Sequence, residues 1–226
     1  MTLPDFVRSG NQAVDPYLYD VENGAFDRRG LVLAAMRNLA PWAGKRLVDL
    51  GCGSGYWLSG YADEAHEVIG IEPDDTLLPL ARARDPRVQM LRGSAEHLPL
   101  PDASIDVVHA RFAYFFGEGA DVGLAEVKRV LAPGGRLVVV DNDPHSGEFA
   151  DLLGAAGMSD DSSSWWAERG AERVAVMSDW AFDSRTDLEE VLRLEFPGAV
   201  SQRWLEAHPD RTTLTYGYIL YAVGKD

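Results

Sequence analysis

From Lys45 onward, apolar positions alternate between the two-residue period of strands and the wider period of helices. Upstream, Phe26, Leu33, Met36 and Leu39 sit at helical spacing and predict a helix over 26–39. Five strands then follow in order: 46–50, 67–71, 88–91, 105–109 and 136–141. Between them, helices are predicted at 56–62, 74–84 and 122–131, the last ending at Pro133-Gly134-Gly135. The run Leu137–Val140 is apolar throughout, as a central parallel strand buried on both faces requires. Alternating strands and helices of this kind predict a doubly wound α/β sheet.

The last third changes pattern. Residues 173–182 read as a strand, and Thr186 with Glu189 reads as a capping pair opening a helix that stops at Pro197-Gly198. Residues 212–223 alternate, with Leu214, Tyr216, Tyr218 and Leu220 on one face, and predict an antiparallel final strand. Ser162-Ser163-Ser164 after Asp160-Asp161 reads as a local loop.

The chain has 226 residues, of which 46% are hydrophobic, enough for one large α/β domain over 1–226. Its 36 acidic residues against 21 basic ones give a formal charge of −15, which repels phosphate backbones and anionic membranes. A nucleic-acid or membrane partner is therefore not expected. The only cysteine, Cys52, excludes an internal disulfide and fits a reducing cytoplasm. Residues 1–20 lack the basic region and apolar run of a signal peptide, so a cytoplasmic location is expected. No His/Cys cluster has metal-ligand spacing, so no metal is expected.

Candidate chemistry concentrates in Val48-Asp-Leu-Gly-Cys-Gly-Ser-Gly55, where a buried strand enters a turn with glycines at alternate positions. Glycine there permits positive φ and close approach of a ligand. Compared with the dinucleotide fingerprint, the third glycine comes one residue early, and Asp49 stands just ahead of the turn. An acid in that place suits a cationic cofactor better than a pyrophosphate. Glu72-Pro73 ends the second strand, where a carboxylate can take both hydrogen bonds of a ribose diol. Gly93–Val108 follows the third strand, and Leu131–Val139 turns into the fifth.

These four segments, in this order and spacing, resemble the class I S-adenosylmethionine-dependent methyltransferases of the small-molecule subgroup, most specifically over 45–141. The resemblance implies a Rossmann-like, seven-stranded sheet, mostly parallel with the last strand antiparallel and helices on both faces. It also implies an N-terminal helical lid segment over 1–44 and an acceptor-side insert with the final strands over 142–226. Asp49, Gly51, Cys52, Gly53 and Gly55 would surround the methionine end of the cofactor. Glu72 would bind the ribose, Pro73 would lie beside the adenine, and Ala95 and Glu96 would contact the adenine edge. Relatives usually carry aspartate at the place of Ser94, where serine accepts a hydrogen bond without charge assistance.

Acceptor-side residues follow from the same resemblance. Arg111 and Phe112 would lie near the transferring methyl, with Tyr114 and Phe115 beyond. Arg111 either holds an anionic group or pairs with a nearby acid. His109, inside the strand, reads as a hydrogen-bonded core residue. Asp141 and His145 are either general bases or caps of the next helix. Trp165 and Trp166 form an aromatic acceptor wall or pack in the core. Tyr17 and Tyr19 close over the cofactor or belong to a surface tail. Cys52 reads as a small filler of the turn.

The expected activity is methyl transfer to a small acceptor, aromatic or anionic, by a monomer or homodimer. Two alternatives keep the cofactor, as a non-methylating enzyme or a binding module. An NAD-dependent oxidoreductase is disfavoured by the glycine spacing.

Overall fold

A computed structural model describes residues 15–158 and 161–225. The elements run α1 (Pro16–Ala25), α2 (Leu31–Leu39), β1 (Arg46–Leu50), α3 (Leu58–Ala62), β2 (Glu67–Glu72), α4 (Leu78–Arg84), β3 (Gln89–Arg92) and β4 (Ile105–Arg111). They continue with α5 (Asp121–Val130), β5 (Leu131–Asn142), α6 (Glu148–Ala156), α7 (Ser163–Glu168), β6 (Glu172–Ala181), α8 (Arg185–Glu195), α9 (Ala199–Ala207) and β7 (Thr213–Gly224). One seven-stranded sheet has the order β3-β2-β1-β4-β5-β7-β6. β7 runs antiparallel to both β5 and β6, and the pairs among β1 to β5 are parallel. This is the Rossmann-like, seven-stranded sheet expected from the sequence, mostly parallel with an antiparallel final strand.

Strand alternation divides the interior into two cores. Leu47, Val107, Val138, Val140 and Leu220 face one layer, which also receives residues of α2, α3, α6 and α8. Val48, Val108, Leu137, Val139, Ile219 and Tyr221 face the other, against Leu124 and Val127 of α5 and Trp166 of α7. Parallel strands buried on both faces account for the unbroken apolar run in β5. Leu214, Tyr216, Tyr218 and Leu220 of β7 do share one face, on the first of these cores.

Several boundaries differ from those expected. The helix expected over 26–39 starts only at Leu31, as α2, and α1, which was not expected, ends before it at Ala25. Phe26 instead bridges to Trp180 of β6, and Asp27 takes φ 46°. The Asp27 carboxylate accepts from Leu31, Val32 and Leu33 N–H, so α2 begins where these first-turn donors meet that acid. Asp15 caps α1 by accepting from Tyr17 and Leu18 N–H, with Pro16 at the first helical position.

The cap of α8 is Ser184 with Asp187, not Thr186 with Glu189. Ser184 Oγ accepts from Asp187 N–H at 3.1 Å and donates to its carboxylate at 2.8 Å. Ser163 and Ser164 lie in α7 and not in a loop, while Asp160 lies outside the described residues. Ser184→Ala is expected to cost ~1 kcal/mol, which lowers Tm by roughly 2–4 °C in calorimetry for a chain of this length.

Candidate active site

β1 delivers the chain to the glycine turn at the carboxyl edge of the sheet. Gly51, Gly53 and Gly55 take φ of 72°, 57° and 80°, a region costly for residues with a Cβ. A Cβ on Gly51 would stand 2.6 Å from Ala113 Cβ, so the turn is pressed against the segment following β4. Glu72, at the tip of the neighbouring strand, locks the turn from the other side. One carboxylate oxygen accepts from Gly53 N–H and the other from Asp74 N–H, each at 2.8 Å. A carboxylate has about four lone-pair sites, so both oxygens keep capacity to accept from a diol. Burial raises the Glu72 pKa to about 7 despite those two donors.

Asp49 and Arg111 face one cavity with Tyr19, Asn23, Phe26, Ser54, Trp57 and Phe112. The Asp49 carboxyl is buried, and burial pushes its pKa up to about 6 while the Arg111 charge opposes the shift. Such a carboxylate suits an ammonium or sulfonium ligand, whose charge would replace the missing hydration. Phe26, Trp57, Phe112 and Tyr218 supply aromatic contacts around it. Phe26 lies 5.6 Å from Trp57, 5.7 Å from Phe112 and 4.7 Å from Tyr218, ring centre to ring centre.

Helix α1 roofs this cavity. Asp20 accepts from Ser54 Oγ at 2.8 Å and pairs with Arg84, while Asn23 accepts from Trp57 Nε1 at 2.8 Å. Tyr19 is inside the cavity wall, and its phenol pKa is raised, chiefly by burial. Asp20, Asn23, Phe26, Ser54, Tyr56 and Trp57 were not singled out from sequence. The Gly55-Tyr-Trp57 continuation of the turn was the available signal for the last two.

Residues 48–139 match the family model of the methyltransferase domain. Over these residues the chain is similar to methyltransferase domains. It is similar to an uncharacterised methyltransferase of Mycobacterium bovis, 36% identical over 124 residues, covering 53% of this chain and 51% of the relative. A demethylmenaquinone methyltransferase of Clavibacter sepedonicus is 31% identical over 137 residues, covering 55% and 56%. The chain thus spans about half the length of the curated relatives it matches. The solved YcgJ protein of Bacillus subtilis shares the fold with a TM-score of 0.57 at 18% identity, covering 87% of this chain and 98% of that one.

Other sequence candidates lie outside this cavity. Pro73 is half-buried beside Glu72, and Ser94, paired with His97, follows β3 with buried Ala95. The Glu96 carboxylate accepts from Tyr114 Oη at 2.8 Å, which ties the segment after β3 to the one after β4. Tyr17 is 80% exposed and is not among the residues that line the cavity with Tyr19. Trp165, Trp166 and Phe115 are buried in the core on the opposite sheet face. Trp166 stacks on Tyr221 at 5.1 Å and also meets Phe115.

Asp141 also lies away from Arg111. Val140 stands beside Arg111 in the ladder, and Asp141, one residue further on, lines a separate cavity with Phe116, Asn142 and Met158. His145 is largely exposed, its Nε2 3.0 Å from the Asp161 carboxylate. His109 is fully buried between Trp42 and Tyr61, but neither ring nitrogen has a hydrogen-bond partner, so the hydrogen-bonded reading is corrected. Burial drops its pKa to about 3 and keeps it neutral. Cys52 fills the turn against Gly70, and burial pushes its thiol pKa well up. Among the described residues, no group of three or more His, Cys, Asp or Glu could hold a metal ion, and no helix is long and apolar enough to cross a membrane.

Proposed function

We propose that this chain binds S-adenosylmethionine and transfers its methyl group to a small aromatic or anionic acceptor. The observation that carries this reading is the arrangement of two buried carboxyls about the glycine turn. Asp49 lies beneath the cavity and Glu72 beside the turn. Asp49 holds the cationic methionine end, and Glu72 takes the ribose diol with the lone pairs left after Gly53 and Asp74. Pro73, Ser94, Ala95 and Glu96 border the adenine. When bound, the cofactor supplies an electrophilic methyl, and its transfer leaves S-adenosylhomocysteine.

This chain contributes position and exclusion of water. α1 closes the cavity through Asp20 and Asn23, and Phe26, Trp57 and Phe112 line it. Orientation alone is worth several orders of magnitude in rate for a displacement of this kind. Asp49 is the only carboxyl among the described residues lining the cavity, and it is committed to the cofactor. The favoured acceptor therefore carries a nucleophile that ionises readily in water, such as a phenol or an activated carbon acid. The similarity to a demethylmenaquinone methyltransferase is in keeping with an aromatic acceptor of that kind.

Isothermal titration with S-adenosylmethionine, S-adenosylhomocysteine and NAD tests the first step. Binding of both adenosyl ligands without NAD is expected, followed by S-adenosylhomocysteine release with a member of a phenol and quinol panel. If folded, ligand-free protein takes up neither adenosyl ligand, the reading is wrong.

A further inference from the structure

Arg111 is set apart from the other arginines of the fold. Each other partly buried arginine holds a carboxylate: Arg46 pairs with Asp106, Arg129 with Glu126, Arg169 with Asp121, Arg185 with Glu189 and Arg211 with Glu148, and Arg37, Arg92 and Arg136 follow suit. The unpaired ones, Arg29, Arg82, Arg173 and Arg203, stand in solvent. Arg111 is partly buried, yet among the described residues no carboxylate pairs with it, and its Nε is buried with no hydrogen-bond partner. Its guanidinium carbon instead lies 4.1 Å from the Trp57 ring centre and 5.8 Å from that of Phe26.

The cation–π contact offsets part of the desolvation but leaves the buried Nε donor without an acceptor. A half-buried guanidinium kept in this way, in the wall of a ligand cavity, is built to meet an anion that arrives with the ligand. We propose that Arg111 is the carboxylate receptor of this site, its planar fork taking a carboxylate of the bound ligand in a bidentate pair while Trp57 and Phe26 fix its plane. The proposal rests on the cofactor reading above and adds the charge that the site selects. Asp49 and Arg111 then place a negative and a positive group in one cavity, so that a cation and a carboxylate are bound together.

Two carboxylates have this chemistry, that of the cofactor's methionine end and that of an acceptor acid. The experiment separates them. Wild type, Arg111→Gln and Arg111→Lys are titrated with S-adenosylmethionine and with decarboxylated S-adenosylmethionine. The complexes with S-adenosylhomocysteine are then titrated with benzoate and with neutral benzamide. Circular dichroism and Tm confirm that each variant is folded, and Arg111→Lys, which retains the cation, provides a second variant.

Wild type is expected to prefer the carboxylate member of at least one pair by about ten- to a hundredfold, the scale of a bidentate charge-assisted contact. Arg111→Gln is expected to abolish that preference, and Arg111→Lys to retain only part of it. Loss in the adenosyl pair assigns the cofactor carboxylate, and loss in the benzoate pair assigns the acceptor. If Arg111→Gln leaves both preferences within twofold of wild type, or weakens both members of each pair equally, Arg111 only shapes the cavity and the proposal falls. Failure of wild type to bind either adenosyl ligand would instead overturn the cofactor reading. The benzoate pair, titrated without cofactor, would then still decide on Arg111.

Discussion

Glu72→Ala is expected to weaken S-adenosylmethionine binding at least a hundredfold while lowering Tm only modestly. The two effects separate because the carboxyl has opposing roles in the ligand-free fold. It accepts from Gly53 and Asp74 N–H, contacts worth roughly 1.5–3 kcal/mol each when the acceptor is charged. Its burial works against them and raises the pKa to about 7, so much of that gain is spent on desolvation. Binding adds two hydroxyl donors and no further burial cost, so the ligand-dependent loss is the larger one.

Glu72→Gln gives the sharper test. The amide keeps one acceptor but turns an NH2 toward either Gly53 or Asp74 N–H, donor against donor. It is therefore expected to bind no better than Glu72→Ala, although it is nearly isosteric. Isothermal titration and calorimetry on both variants check this. If Glu72→Gln binds S-adenosylmethionine like wild type, Glu72 does not hold both the turn and the ribose.

The turn and the carboxylate beside it were legible in sequence because both lie within one contiguous βαβ stretch. Strand period, glycine spacing and the strand-tip acid are all local there, and the family model matches the same region, 48–139. The seven-stranded, mostly parallel sheet and the antiparallel β7 followed from the resemblance, whereas the strand order was given only by the fold. The roof was not legible. Asp20 and Asn23 reach Ser54 and Trp57 across 34 residues of sequence, and no periodicity within 15–25 announces that contact. α6 and α9 were absent from the expected elements, both being short helices entered from a glycine, Gly147 and Gly198, without a side-chain cap.

Trp165 and Trp166 illustrate a different limit. Their composition suits a ligand wall and a core equally, and only the path of the chain across the sheet decides that Trp166 stacks on Tyr221. For Asp141, position at a strand end was apparent but the face was not. Arg111 was placed near the site from sequence, with an ion pair as its alternative. The fold gives it aromatic rings in place of an acid.

Between pH 5 and 7.5 the ligand-free protein is expected to lose stability as pH rises, while its affinity for S-adenosylmethionine grows. Asp49 and Glu72 have folded pKa values of about 6 and about 7, above their ordinary 3.8 and 4.5. The folded state therefore binds more protons than the unfolded state across that interval. Their contribution to stability is complete below the unfolded values and is lost as pH passes the folded ones. Carboxylates with lowered values, such as Asp106, Glu126 and Glu148, act in the opposite sense at lower pH. His109, whose pKa burial drops to about 3, offsets part of the trend below its ordinary 6.5, which one histidine does not reverse against two carboxyls.

The ligand reverses the balance, because a cationic methionine end requires Asp49 ionised and a ribose diol is held best by ionised Glu72. At pH 5 a group of pKa about 6 is only about one-tenth ionised, so affinity is expected to fall by tenfold or more from pH 7.5. Tm measured with and without S-adenosylmethionine at pH 5, 6, 7 and 7.5 reads both trends at once. Asp49→Asn removes the lower of the two ionisations without emptying the space. It is expected to raise the ligand-free Tm at pH 7.5 and to flatten the pH dependence of binding near 6, at a cost of about tenfold or more in affinity at neutral pH. A ligand-induced Tm shift that stays constant from pH 5 to 7.5 in wild type would show that neither carboxyl ionises to receive the cofactor, and Asp49 would lose its role as the partner of the cationic end.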